Sequence, residues 1–125
     1  MNNIYLSIWG RQFDLSITYD CYSDEEILDS QKMALEAFIR DDTILEASLN
    51  KVKEYCLSVN RAEVGSDSIE NIFKFVMPKY IYVPRETKKH IVAVMCNYRF
   101  DQEHGIAIIF ENEKFLKVDI QDNIL

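Results

Sequence analysis

The segment NYRFDQEHGIAIIF, residues 97–110, places three ionisable residues close together before a glycine. Asp101, Glu103 and His104 precede Gly105. Carboxylate oxygens and imidazole nitrogens are ligands for divalent metals, and the same groups transfer protons in general acid–base catalysis. This segment is therefore the first candidate for a functional site.

The same residues also fit a hairpin turn between two apolar strands. Glycine adopts the left-handed backbone without steric cost, and an aspartate side chain accepts hydrogen bonds from backbone amides further along the chain. We therefore predict that Asp101 and Gly105 form the turn. Glu103 and His104 are then expected to serve the turn or to present a surface to a binding partner.

A metal or catalytic site is the alternative for Glu103 and His104, with Asp101 as a third ligand. Such a site needs three or four ligands. The other histidine of the chain, His90, begins the preceding strand and lies about 25 Å away at roughly 3.3 Å per residue. We therefore assign no metal ligand and expect no cofactor.

Motifs of nucleophilic, nucleotide-binding and metalloprotease sites are missing from the sequence. It contains no GxSxG, Walker, GxGxxG or HExxH pattern. Cys96 lies inside an apolar strand, where a thiolate is disfavoured. We therefore expect no catalytic residue and no enzyme, with a small metal-dependent hydrolase centred on Glu103 and His104 as the alternative.

Acidic residues outnumber basic ones, which bears on the partner. The 125 residues include 14 Lys and Arg and 21 Asp and Glu, giving a net charge of −7. This charge repels a phosphate backbone and favours a basic protein partner. Asp24, Glu25 and Glu26, within the acidic segment 20–29, are candidate partner-binding residues. The alternative is a solvated loop that caps helices.

Length and composition predict one domain in a reducing compartment. The chain has the length of a single domain and is 48% hydrophobic. It shows no signal sequence and no apolar run near the roughly 18 residues that span a bilayer. Three widely spaced cysteines without a CxxC pair predict reduced thiols, no disulfide and a cytoplasmic protein that binds no membrane.

An N-terminal β-hairpin is predicted over residues 3–19, where apolar and polar residues alternate. With a turn at Gly10-Arg11, Ile8 faces Phe13 and Leu6 faces Leu15. Ile4 then faces Ile17, so all six apolar side chains share one face.

Helices are expected in the middle of the chain. Ser23 with Glu26 matches a capping box, which would allow a helical turn there, but we favour a loop over this segment that leads into a helix over 30–40. Thr43 with Glu46 is a second capping box, which opens a helix over 44–59. Residues 68–76 are expected to be a short helix or irregular, ended by Pro78.

The remaining segments predict strands. They span 80–83, 91–98, 106–110 and 115–120, the last with Leu116, Val118 and Ile120 facing the core. The fold class is therefore α+β: an N-terminal hairpin, two to three helices and a C-terminal antiparallel meander. The helices are expected on one face of the sheet.

The C-terminal third resembles an uncharacterised bacterial domain family. Members have an aromatic-x-x-E-H-G turn between two strands and a Gln-Asp-x-Ile-Leu tail. A Gln-x-x-Ala-Leu-x-x-Phe helix, here Gln31 to Phe38, gives a looser N-terminal match. The C-terminal positions are Phe100, Glu103, His104, Gly105, Gln121, Asp122, Ile124 and Leu125.

This resemblance implies a small acidic cytosolic domain similar to immunity proteins, which neutralise a toxin by binding it. The implied role is a non-enzymatic protein-binding domain with a basic partner.

Overall fold

A computed structural model describes residues 3–125 and has one six-stranded mixed sheet with helices on one face. The strands lie side by side in chain order. This arrangement confirms the predicted α+β class. The elements are β1 (Asn3–Ile8), β2 (Arg11–Tyr19), α1 (Asp29–Arg40), α2 (Thr43–Val59), α3 (Arg61–Val64), β3 (Val76–Val83), β4 (Ile91–Tyr98), β5 (Ile106–Glu111) and β6 (Lys114–Ile120), with 3₁₀ helices at Ile72–Lys74 and Gln121–Asn123.

The hairpin of β1 and β2 is confirmed, but its predicted register is wrong. The turn is Trp9-Gly10, with φ of 52° and 83°, so Ile4 pairs with Leu15 and Leu6 with Phe13. Two positive φ values are the signature of a type I′ turn. The partners shift by two residues, which keeps the apolar side chains on the face that was predicted.

Contact with α2 accounts for this unusual turn. The Trp9 indole is buried, and its Nε1 donates to the Leu45 carbonyl at 3.1 Å and to Ser48 Oγ at 3.2 Å. A tryptophan at positive φ is unfavourable in isolation. These long-range contacts therefore hold the turn in place.

The helices form the crossover between two parallel strands. β2 pairs with β3 in parallel, whereas all other neighbours in the sheet are antiparallel. Parallel neighbours need a long connection, which here contains the helices. Helix α1 packs over β3 and β4, and α2 packs over β6.

The third strand begins earlier than predicted. It starts at Val76 and contains Pro78, which was expected to end a preceding segment. The register shifts between Pro78 and Tyr80, and pairing with β2 involves only residues 80–83. Proline is tolerated because this part of β3 lacks a β2 neighbour and needs no amide donor on that side.

Neither capping-box pattern forms a cap, and the loop favoured before the first predicted helix is confirmed. Residues 23–26 contain no helix, and α1 begins at Asp29. Thr43 already lies in the first turn of α2, where the Asp41 carboxylate accepts its backbone N–H at 3.0 Å. An aspartate preceding the helix therefore provides the cap.

The inward alternation predicted for β6 is wrong at Leu116. A register shift opposite Ile109 and Phe110 leaves Leu116 without a partner and exposed. Phe115 packs against the core in place of Leu116, and Val118 packs against the core as predicted. An extra residue in one strand reverses the side-chain alternation beyond it.

The main core lies between the sheet and the helices, and a smaller cluster lies on the opposite face. Residues 91–98 and 106–110 pair as antiparallel strands, as predicted. The smaller cluster contains Tyr82, Met95 and Ile109, with Ile124 packed against it. Among residues 3–125, no helix is long and apolar enough to cross a membrane.

Candidate functional site

The connection between β4 and β5 is a closed turn organised by Asp101. Its carbonyl accepts the backbone N–H of Gly105 at 2.9 Å. Its carboxylate accepts the His104 backbone N–H at 3.2 Å and lies 3.0 Å from His104 Nδ1. One aspartate therefore satisfies the turn backbone and orients the imidazole.

Gly105 is packed against the C-terminal 3₁₀ helix. It has a φ of 64°, and a Cβ built there would lie 2.7 Å from the Cys96 carbonyl oxygen and 2.6 Å from Gln121 Nε2. The Gln121 amide donates to the carbonyls of Cys96 at 3.0 Å and Ile106 at 3.4 Å. The E-H-G turn and the Gln-Asp segment near the C-terminus are therefore one structural unit.

His104 lies between two carboxylates. The hydrogen bond and charge of Asp101 raise the pKa of His104, and Glu103 and Asp122 raise it further. His104 Nε2 lies 4.0 Å from an Asp122 carboxylate oxygen. The imidazole therefore lies between the turn and the C-terminal segment.

Glu103 does not join this arrangement. Its side chain is exposed and has no hydrogen bond or ion pair to another residue of the described chain. Within residues 3–125, no three His, Cys, Asp or Glu side chains converge in a way that could hold a metal ion. Of the three residues in the hydrolase alternative, only Asp101 and His104 are in contact.

Neither His90 nor the Cys96 thiol forms a hydrogen bond with His104. His90 Nδ1 is 2.7 Å from Glu113 at the opposite end of β4. The Cys96 thiol contacts the Val94 carbonyl at 3.6 Å, and its complete burial raises its pKa. The geometry therefore provides no Cys–His pair with His104.

The acidic loop, which we define as residues 20–28, is fastened on both sides. A Glu25 carboxylate oxygen accepts the Tyr22 backbone N–H at 2.9 Å, and the other lies 3.5 Å from Arg85 Nε. Arg85 also donates to the Glu26 carbonyl at 3.0 Å. Asp24 and Glu26 remain exposed, so their carboxylates face solvent from a fixed backbone.

A buried glutamine ties this loop to the sheet. The Gln31 amide nitrogen donates to the carbonyls of Asp20 at 3.0 Å and Val83 at 3.1 Å, and its oxygen accepts the Leu28 N–H at 2.9 Å. Sequence reasoning had placed Gln31 only in a helix pattern. The sequence signal for this role is that Gln31 is a polar residue in line with the apolar stripe of Ala34, Leu35 and Phe38.

A groove with a volume of about 410 Å³ adjoins the acidic loop, and its lining combines aliphatic side chains with the charged Lys32 and Glu36. Ile17, Tyr19, Ile27 and Ile39 are among the residues that line it. Tyr22 within the loop is 78% exposed. Fixed carboxylates, an exposed aromatic ring and partly exposed aliphatic side chains therefore share one region.

The five candidate partner-binding residues do not form a single surface. Asp24, Glu25 and Glu26 lie near the end of β3, whereas Glu103 and His104 follow the end of the antiparallel β4. The two groups are separated by the length of a strand, about 25 Å at roughly 3.3 Å per residue. The structure thus brings the first three together and places the other two at the opposite end of the sheet.

Comparison with known families yields one match. The model of DUF6985, described as a domain of unknown function, matches residues 2–125. No curated protein and no solved structure matches the chain.

Proposed function

The chain belongs to DUF6985, a family of domains of unknown function, and from this premise we propose that it is a non-enzymatic protein-binding domain that neutralises a basic partner, like an immunity protein. The observation that carries the proposal is the fixed acidic loop beside a groove with an aliphatic part formed by Ile17, Ile27 and Ile39.

Rigidity of the loop supports a role in binding. Gln31 is 1% exposed and holds the backbone of Asp20 and Leu28, while Arg85 holds that of Glu26. A loop that is already ordered loses little conformational entropy on association. Its carboxylates therefore bind a partner at a lower entropic cost than those of a flexible loop.

Charge supports a basic partner. The chain has a net charge of −7, and Asp24 and Glu26 project from the loop without a salt bridge in the described part of the chain. Complementary charge accelerates encounter and excludes partners of the same sign. The partner surface is thus expected to contain Lys and Arg opposite the loop.

The groove supplies the apolar centre that a protein interface needs. Interfaces combine an apolar core with a polar rim and are enriched in tyrosine. Ile27 and Ile39 line the groove, and Tyr22 is exposed in the adjoining acidic loop. We assign the interface core to these residues and the rim to Asp24 and Glu26.

The proposal includes a bacterial cytoplasmic setting in which the partner is a toxin. Free Cys21, Cys56 and Cys96 agree with a reducing compartment. Glu103 and His104 lie outside this interface, because they are at the other end of the sheet.

The experiment pairs the purified chain with the basic protein encoded by the adjacent gene. Binding is measured at low and high salt, and growth is measured when both proteins are expressed together. We expect saturable binding and restored growth. Combined Asp24→Lys and Glu26→Lys should lower the association rate about tenfold or more, since charge steering is lost.

A matched double charge reversal, Glu46→Lys with Glu70→Lys, is the control, because both residues are exposed outside the acidic loop. It tests whether the position of the reversed charges matters. It should change the association rate less than the loop reversal. Tyr22→Ala should accelerate dissociation. Absence of binding at about 10 μM would contradict the proposal, and so would equal effects of the two reversals.

A further inference from the structure

A cavity of about 340 Å³ opens near the start of β3 and the end of β4, away from the acidic loop. Its volume falls at the lower end of the range of small-molecule sites. The 3₁₀ helix Ile72–Lys74 provides one wall, and the end of β4 provides the other. The backbone N–H of Arg99 donates to the Phe75 carbonyl at 2.8 Å, which joins the two walls.

Cations are concentrated at this cavity although the chain as a whole is acidic. Lys74 and Arg99 line it, and the Arg11 guanidinium lies 4.1 Å from the centroid of the Phe73 ring, which is also part of the lining. Within residues 3–125, none of the three cations forms an ion pair. The nearby Asp101 carboxylate is engaged by His104.

The remaining lining consists of aromatic rings, a methionine side chain and side-chain amides. Phe75 stacks on Phe100 at a centroid distance of 5.2 Å, which fixes the ring that faces the cavity. Met77 contributes a polarisable thioether. The side-chain amides of Asn97 and Gln102 complete the rim and can donate to oxygen atoms.

We propose that this cavity binds a small organic anion in which a phosphate or carboxylate is attached to a flat apolar ring. Lys74 and Arg99 provide charge-assisted hydrogen bonds to the anionic group. Phe73, Phe75 and Met77 contact the ring. This site is independent of the interface with a basic protein, since the two lie at opposite ends of the sheet.

Titration with phenyl phosphate tests the proposal. Binding is followed through backbone amide signals and the side-chain NH₂ signals of Asn97 and Gln102 in two-dimensional NMR spectra. We expect saturable shifts confined to the cavity. Inorganic phosphate has only the anionic group and phenol has only the ring. Each should therefore bind at least about tenfold more weakly than phenyl phosphate.

Variants separate the site from general electrostatic attraction. Lys74→Gln with Arg99→Gln should weaken phenyl phosphate binding about tenfold or more, and unchanged spectral dispersion verifies that the variant is folded. Lys88→Gln, an exposed lysine in the loop between β3 and β4, should have no effect.

Three outcomes with these small ligands and variants would overturn the assignment. They are an absence of saturable shifts at about 10 mM phenyl phosphate, equal binding of inorganic phosphate, and equal weakening by Lys88→Gln. An acidic peptide that shifts the same signals and binds with higher affinity than phenyl phosphate would also overturn it, because the ligand would then be a protein segment.

Discussion

At the scale of single residues, two features exclude a side chain at position 105: the backbone conformation of Gly105 and the atoms packed against it. Its φ of 64° is unfavourable for other residues, and its position against the Cys96 carbonyl leaves no room for a Cβ. A rigid carbonyl oxygen cannot move aside as a flexible side chain would. Gly10 and Gly65 also have positive φ, but nothing lies within 4 Å of a Cβ built at either position.

We therefore predict that Gly105→Ala destabilises the fold more than Gly10→Ala. Backbone strain alone should cost about 1–2 kcal/mol in each variant, and steric overlap should add on the order of 1–3 kcal/mol at residue 105. Urea unfolding of both variants measures the difference. Equal losses would show that the turn relaxes away from Cys96 and Gln121.

His104 gives the turn a defined pH dependence. Its pKa is raised in the folded state, so its stabilising effect is complete below the unfolded value of 6.5 and disappears as pH rises through the folded pKa. The pKa of Asp101 is lowered, mainly by hydrogen bonds from His104, so its contribution is lost as pH falls through that lowered value. The pair is therefore most stabilising in moderately acidic solution.

We predict that His104→Gln lowers the melting temperature most near pH 5 and least near pH 9. Thermal melts across this range measure the deficit relative to the wild-type chain. In an Asp101→Asn background the pH dependence of the deficit should shrink, since the partner charge is gone. A deficit that grows with pH would contradict the assignment.

At the scale of elements, Gln31 joins α1, the acidic loop and β3. Its side chain satisfies the Asp20 and Val83 carbonyls and the Leu28 amide inside the protein. Replacement by leucine retains much of the volume but removes these hydrogen bonds, and only the Val83 carbonyl keeps another donor, the Asp20 N–H at 2.9 Å. Buried groups without hydrogen bonds are costly.

We predict that Gln31→Leu costs on the order of 2–4 kcal/mol and increases protease cleavage within residues 20–28. Gln12→Leu, at an exposed position on β2, is the matched control and should change stability by less than about 0.5 kcal/mol. Urea melts and limited proteolysis measure both effects. Destabilisation without faster cleavage would show that Gln31 supports the core and does not order the loop.

For the whole molecule, the central sheet determines the accessibility of the cysteines. Cys56 and Cys96 are 0% exposed, whereas Cys21 is partly exposed within the acidic loop. Burial raises the pKa of both internal thiols, which further suppresses the reactive thiolate.

We predict that a thiol reagent labels one cysteine quickly in the folded chain and all three after unfolding without reductant. Labelling of Cys56 and Cys96 should follow global opening, because both belong to the main core. Rapid labelling of two or three thiols in the native chain would contradict this packing. Only one free thiol after unfolding would contradict the predicted absence of a disulfide.

Local patterns in the sequence determined most elements of this fold. Alternating or continuous apolar residues predicted β4 over 91–98 and placed β5 within one residue of its observed end. The apolar stripe predicted α1 within one residue of its start. These signals are local, because the side-chain periods of strands and helices appear within a few consecutive residues.

Only the tertiary structure decided how distant residues meet. The hairpin turn depends on Trp9 reaching α2, and the exclusion of a side chain at Gly105 depends on Cys96 and Gln121. The candidate partner-binding residues divide between two ends of the sheet because β3 and β4 run antiparallel. Such contacts join residues that are far apart in the chain, and their geometry arises from packing between elements, which no local period encodes.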